Sequence, residues 1–187
     1  MATGFHQPVL DVERNAMLSV GDRAPAFECT AVVDGDVVGL EWDRLHDGRV
    51  LVLVFGSVED ETLAPGDFAA LSRALVRIEH VRGRLAIVCR DHVFEIATWA
   101  NRVAEEGASG DVPIPLIADS DSWISSHYEM VSDDGQALWG HVIVDPAGRV
   151  RQIVTHEIPI GTNVTELIRC IASLSDEGRE ADDPFGC

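Results

Sequence analysis

Residues 50–55 read Val-Leu-Val-Leu-Val-Phe, six apolar positions without polar alternation. A strand of that kind has to be covered on both faces, which is the situation of a central strand in a layered α/β sheet. The pattern after it agrees. Residues 65–79 place Phe68, Leu71, Leu75, Val76 and Ile78 at helical spacing behind Pro65, whose missing N–H costs nothing in a first turn. A strand at 85–89, a helix at 93–106, a Gly- and Pro-rich connection, a strand at 115–118 and a short helix at 121–128 follow. Strands at 139–145 and 150–155 flank the turn Pro146-Ala-Gly148, and residues 163–174 form an amphipathic helix.

Before the central strand, residues 26–33 and 37–40 flank Asp34-Gly35, a dipeptide suited to a type I′ hairpin because both positions tolerate positive φ. The expected organisation is an N-terminal arm at 1–19, one α/β domain at 20–175 and a flexible acidic tail at 176–187. The arm carries no sustained period, apart from a short helical stretch at 12–18.

Charge and composition exclude several classes of function. The formal net charge is -18, and all fourteen basic residues are arginine. A negative surface repels phosphate backbones and anionic lipid heads, so neither nucleic acid nor a membrane is the expected partner. Without lysine there is no Schiff base, no pyridoxal-phosphate anchor and no phosphate-loop lysine. Cys29, Cys89, Cys170 and Cys187 form no CxxC pair and have no histidines at zinc spacing, so neither a disulfide framework nor a metal site is indicated. No signal-like start or membrane-length apolar run is evident, which makes a cytoplasmic protein the default expectation.

Four segments carry a family likeness: Val20-Gly-Asp-Arg-Ala-Pro-Ala-Phe27, Ile114-Pro-Leu-Ile-Ala-Asp119, Gly140-His-Val-Ile-Val-Asp145, and Arg151-Gln-Ile153 with Ile158-Pro-Ile-Gly161. Together with Asp91, Phe94, Trp99 and Asn101, the chain resembles typical two-cysteine peroxiredoxins of the alkyl hydroperoxide reductase and thiol-specific antioxidant group. The resemblance spans about residues 20–186. It implies a thioredoxin-like α/β fold with a central mixed sheet flanked by helices and an extra N-terminal hairpin.

The resemblance also implies a pocket at the start of the helix after the central strand, and there the chain departs from the pattern. In Ser57-Val-Glu-Asp-Glu61-Thr-Leu-Ala64-Pro65, Ser57 stands for the family's proline, Glu61 for its hydroxyl residue and Ala64 for its peroxidatic cysteine. Trp139 stands where the family's arginine is expected, and Asp183, directly before Pro184, at the resolving cysteine. Peroxide reduction needs a thiolate lowered in pKa by a helix start and a guanidinium, and a methyl group supplies no sulfur. At the peroxidatic site alone Ser57, Glu61, Ala64 and Trp139 replace four separate parts of one device, which points to divergence rather than to a single engineered exchange.

Candidate residues follow from the same placement. Trp139 and His141 lie two apart on one strand and share the face that the family turns toward its pocket. His141 can move a proton near neutral pH, and Glu61 beside it would make an acid/base pair; Trp139 and His141 also read as simple space filling. Ser57, Asp60, Ala64, Asp67 and Trp139 complete the expected pocket lining. Glu59, Asp60, Glu61 and Asp67 read equally well as a solvated cluster at a helix start. Cys89, with Arg90 beside it to lower its pKa, is the alternative redox residue, although its ordinary role is a small buried hydrophobe. Cys187 is a displaced candidate for a resolving thiol.

Three functions emerge. The first is a redeployed pocket that binds a small organic molecule, with cofactor-free acid/base chemistry by Glu61 and His141. The second is a non-catalytic, chaperone-like assembly, a homodimer through residues 151–155 (Arg151, Gln152, Ile153, Val154, Thr155) or a ring up to a decamer. The third is peroxidase activity through Cys89. None requires a cofactor or metal.

Overall fold

The computed structural model describes residues 17–59, 63, 65–105, 114–157 and 161–182. Seven strands, β1 (Glu28–Val33), β2 (Asp36–Glu41), β3 (Val50–Gly56), β4 (Gly83–Cys89), β5 (Leu116–Ala118), β6 (Trp139–Val144) and β7 (Val150–His156), form one sheet in the order β2-β1-β5-β4-β3-β6-β7. The β3–β4 and β4–β5 pairs are parallel, and the remaining pairs are antiparallel. Among the described residues there are five helices, α1 (Trp42–His46), α2 (Pro65–His80), α3 (Val93–Glu105), α4 (Trp123–His127) and α5 (Val164–Asp182).

Every residue of β3 is buried, and alternate residues serve different cores. Val50, Val52 and Val54 pack with Phe68 and Ile78 of α2, Ile96 and Val103 of α3, and Leu167 and Ile171 of α5. Leu51, Leu53 and Phe55 pack on the opposite face with Phe27, Leu45 of α1, and Ile124 and Tyr128 near α4. Each such side chain removed from water contributes about 1.5–3 kcal/mol, which is why an unbroken apolar run was needed at the middle of the sheet.

The hairpin forms at Asp34 and Gly35, with φ of 51° and 84° as a type I′ turn requires. Three elements differ from expectation. Val76 lies on the outer face of α2 and is 76% exposed, because the apolar stripe of the helix is filled by Phe68, Leu71, Leu75 and Ile78. Helix α1 gave no sequence signal, since five residues are too few to establish a period. Helix α5 runs on to Asp182, seven residues into the segment expected as a tail. The residues there include Glu177, Arg179, Glu180 and Ala181, all good helix formers. The N-terminal arm up to residue 16, with its short helical stretch, lies outside the described residues, as does the end of the tail.

Candidate functional site

The parallel strands β3 and β4 end side by side, Gly56 opposite Cys89. The chain leaves β3 through Ser57, Val58 and Glu59, and the Asp91 carboxylate holds all three. Asp91 Oδ1 accepts from Ser57 Oγ at 2.8 Å and from the Glu59 N–H at 3.0 Å, while Oδ2 accepts from the Val58 N–H at 2.8 Å. Asp91 is only 5% exposed and Ser57 3%, so the carboxylate is stabilised by three donors in place of water. The Leu63 N–H donates to the Ser57 carbonyl at 2.9 Å and closes the loop on itself. The sequence marked Asp91 as one of the residues that carry the resemblance, but its bonds to Ser57, Val58 and Glu59 were not legible, because they span more than thirty residues.

Trp139 begins β6 and is 4% exposed. Its six-membered ring lies over Gly56: a Cβ built there would stand 2.7 Å from Trp139 Cζ3 and 3.6 Å from Leu63 Cβ. Glycine at position 56 is what lets the indole settle onto the end of β3. Trp139 is thus part of the core cluster with Val54, Val58, Leu63 and Phe68, and not the lining of an open cleft. Next on the chain, Gly140 allows β7 to approach, since a Cβ there would overlap the Val154 carbonyl oxygen.

His141 lies opposite Val54 on one side and Val154 on the other, on the same face as Trp139. Burial holds its pKa below the ordinary imidazole value; a side-chain hydrogen bond with Gln152 opposes that shift, and the nearby His156 adds to it. The imidazole is therefore neutral at pH 7. Asp67 in the first turn of α2 is half-buried beside the loop before α5, where a Cβ on Gly161 would meet its Oδ1 at 3.0 Å. Asp60, Glu61, Ala64 and Cys187 lie outside the described residues, so the proposed Glu61–His141 pair has no described geometry.

Cys89 is fully buried. The expectation that Arg90 lowers its pKa is reversed: burial, followed by the Asp91 and Asp119 carboxylates, raises it strongly. The Arg90 guanidinium instead donates from Nε to Ser122 Oγ at 3.0 Å. Cys29 is raised to about 12 by burial and by Asp119, and Cys170 is raised by burial and by Glu166. All three thiols are protonated at neutral pH, the form that does not attack peroxides. Beside the loop, Val58, Glu59, Phe94, Thr98, Trp99 and Arg102 line an open hollow of about 360 Å³. Phe94, 70% exposed, stacks on His92 at its rim. Among the described residues no three His, Cys, Asp or Glu side chains are grouped to hold a metal ion, and no helix is long and apolar enough to cross a membrane.

A mixed seven-stranded sheet with helices on both faces, opened by a hairpin and closed by a long helix, defines a thioredoxin-like protein of the peroxiredoxin type. The AhpC/TSA family model matches residues 20–153, and the chain belongs to that family. It is 32% identical to peroxiredoxin TSA1 of Saccharomyces cerevisiae over 156 residues, covering 83% of this chain and 79% of that protein. Peroxiredoxin-2 of Bos taurus is 31% identical over 156 residues, with 83% of this chain and 78% of that one covered. Among solved structures, AhpC of Mycobacterium tuberculosis superimposes with a TM-score of 0.75 at 24% identity, over 87% of this chain and 96% of that chain.

Proposed function

We propose that this chain is a divergent peroxiredoxin that does not run the thiol peroxidase reaction, its scaffold serving to bind a small molecule. Trp139 carries the reading: a buried indole against Gly56 and Leu63 stands where the resemblance places a guanidinium. The sequence supports it, since no cysteine occurs between Cys29 and Cys89, and Ala64 takes the position that the resemblance gives to the attacking thiol. Peroxide reduction forms a sulfur–oxygen bond as the O–O bond breaks, leaving sulfenic acid and releasing water or alcohol; it starts from an accessible thiolate. Cys89, buried and raised in pKa by its surroundings, is not one. Brief treatment with hydrogen peroxide followed by sulfenic-acid trapping and mass spectrometry tests this. Trapped adduct at Cys89 in the native protein overturns the reading; its absence at Cys29, Cys89 and Cys170 is expected.

A neutral imidazole at His141 favours an acid/base function for the same end of the sheet, with Glu61 as its partner and Ser57, Asp60, Ala64 and Asp67 around the ligand. Glu61→Gln and His141→Ala proteins that still process the eventual ligand at the native rate would remove that function.

Strand β7 ends the sheet, and its outer edge at Arg151, Gln152, Ile153, Val154 and Thr155 supports pairing with a second copy, as the resemblance implies. Light scattering on the purified chain decides this: a dimer or a larger ring is expected, and a strict monomer excludes assembly as the function.

A further inference from the structure

On the other face of the sheet from Trp139, a cavity of about 690 Å³ lies between α1, α4, the approach to β1 and the turn after β6. We infer that this cavity binds a small organic cation of the quaternary-ammonium class. Its size falls within the range of ordinary small-molecule sites. The inference does not depend on the loss of peroxidase activity, because the two places share no residue.

The cavity is lined by two indole–imidazole pairs, each set one helical turn apart. Trp42 and His46 of α1 stack with ring planes 4° apart and centroids at 5.4 Å; Trp123 and His127 of α4 stack at 22° and 3.9 Å. Both indoles are half-buried, unlike Trp99 and Trp139, which are 5% and 4% exposed. Aromatic walls of this kind attract an alkylated cation through their negative faces and its methyl groups through dispersion.

Charge selects the sign of the ligand. Asp22, Asp43 and Glu129 line the cavity against one guanidinium, that of Arg23. Each imidazole directs one ring nitrogen at a backbone carbonyl and not at a ligand. His46 Nε2 is 2.7 Å from the Asp145 carbonyl, and His127 Nδ1 is 2.7 Å from that of Trp123. A carbonyl only accepts, so the ring nitrogen facing it carries the proton.

The walls are fixed to one another before any ligand arrives. The Trp42 backbone N–H donates to the Phe27 carbonyl at 2.9 Å, Tyr128 Oη donates to the Pro25 carbonyl at 2.7 Å, and the Ala24 backbone N–H donates to the Gly148 carbonyl at 2.9 Å. Helix α4 is secured by Asp119, whose carboxylate accepts from the N–H groups of Ile124 and Ser125 at 2.9 and 2.7 Å. The residues bracketing it, Ser122 and Glu129, both hold positive φ, 57° and 58°, a conformation that persists in such residues only where the surroundings impose it. Cavity walls held in place before binding lose little entropy on binding.

The four tryptophans provide a built-in test. Their indole N–H signals, assigned through single Trp→Phe variants, are followed during titration of the full chain with choline and, separately, with its neutral isostere 3,3-dimethylbutan-1-ol. Choline is expected to move the Trp42 and Trp123 signals saturably while Trp99 and Trp139 stay in place. The neutral alcohol should bind roughly tenfold more weakly, the factor that a desolvated cation–π contact supplies. Asp43→Asn should weaken choline several-fold without moving the unliganded signals, Asp43 being an exposed residue of α1. No saturable change with choline, equal binding of the alcohol, or changes confined to Trp99 and Trp139 would each overturn the inference.

Discussion

The two faces of the sheet use tryptophan in opposite ways. On the face covered by α2, α3 and α5, Trp139 and Trp99 are buried in the core, Trp139 against Gly56 and Trp99 edge-on to Phe68 with centroids at 5.2 Å. On the face covered by α1 and α4, Trp42 and Trp123 are half-buried and line a cavity whose frame is held by hydrogen bonds. Trp139 packs onto the end of β3, and the second pair leaves room for a ligand on the other face. A tryptophan in a sequence therefore says little about function until the space around it is known.

The largest effect that would break this contrast is expected from Trp139→Ala, which empties a buried indole site and should cost about 3–5 kcal/mol in urea unfolding. A loss below 1 kcal/mol would show that the indole is not packed as described. Gly56→Ala should cost about 1–3 kcal/mol, because the new methyl meets the Trp139 ring. That cost should shrink in a Trp139→Leu background, and full additivity of the two changes would argue against direct contact. Trp42→Phe and Trp123→Phe should each change stability by only about 0.5 kcal/mol, as exchanges at half-exposed positions usually do.

A smaller effect follows from His141. Its folded-state pKa lies below the unfolded value because burial disfavours the cation. Below the unfolded pKa of about 6.5 the unfolded chain takes up a proton that the folded chain resists, so His141 lowers stability as the pH falls through that window. Above it the contribution is constant. His141→Asn should flatten the stability profile there, and an unchanged slope would assign the effect to other groups.

Much of the fold was legible because it rests on local chemistry. The apolar run of β3 announced a doubly covered strand, and Asp34-Gly35 its turn. Helix α1 was not legible, because its placement depends on long-range bonds such as His46 to the Asp145 carbonyl, 99 residues away. For the same reason the aromatic cavity was missed: Trp42 and Trp123 are far apart in sequence and nothing local pairs them. At the β3 end, strand alternation put Trp139 and His141 on one face, but no periodicity reveals whether the space before a side chain is open or filled. The local cue to filling was Gly56, whose missing Cβ admits the indole.

Hydrogen peroxide consumption by the full native chain, coupled to a thiol reductant, tests the central claim most directly. The expected rate is no greater than that of the same protein with all four cysteines replaced by alanine. Rapid turnover that disappears with any one of those cysteines would contradict it.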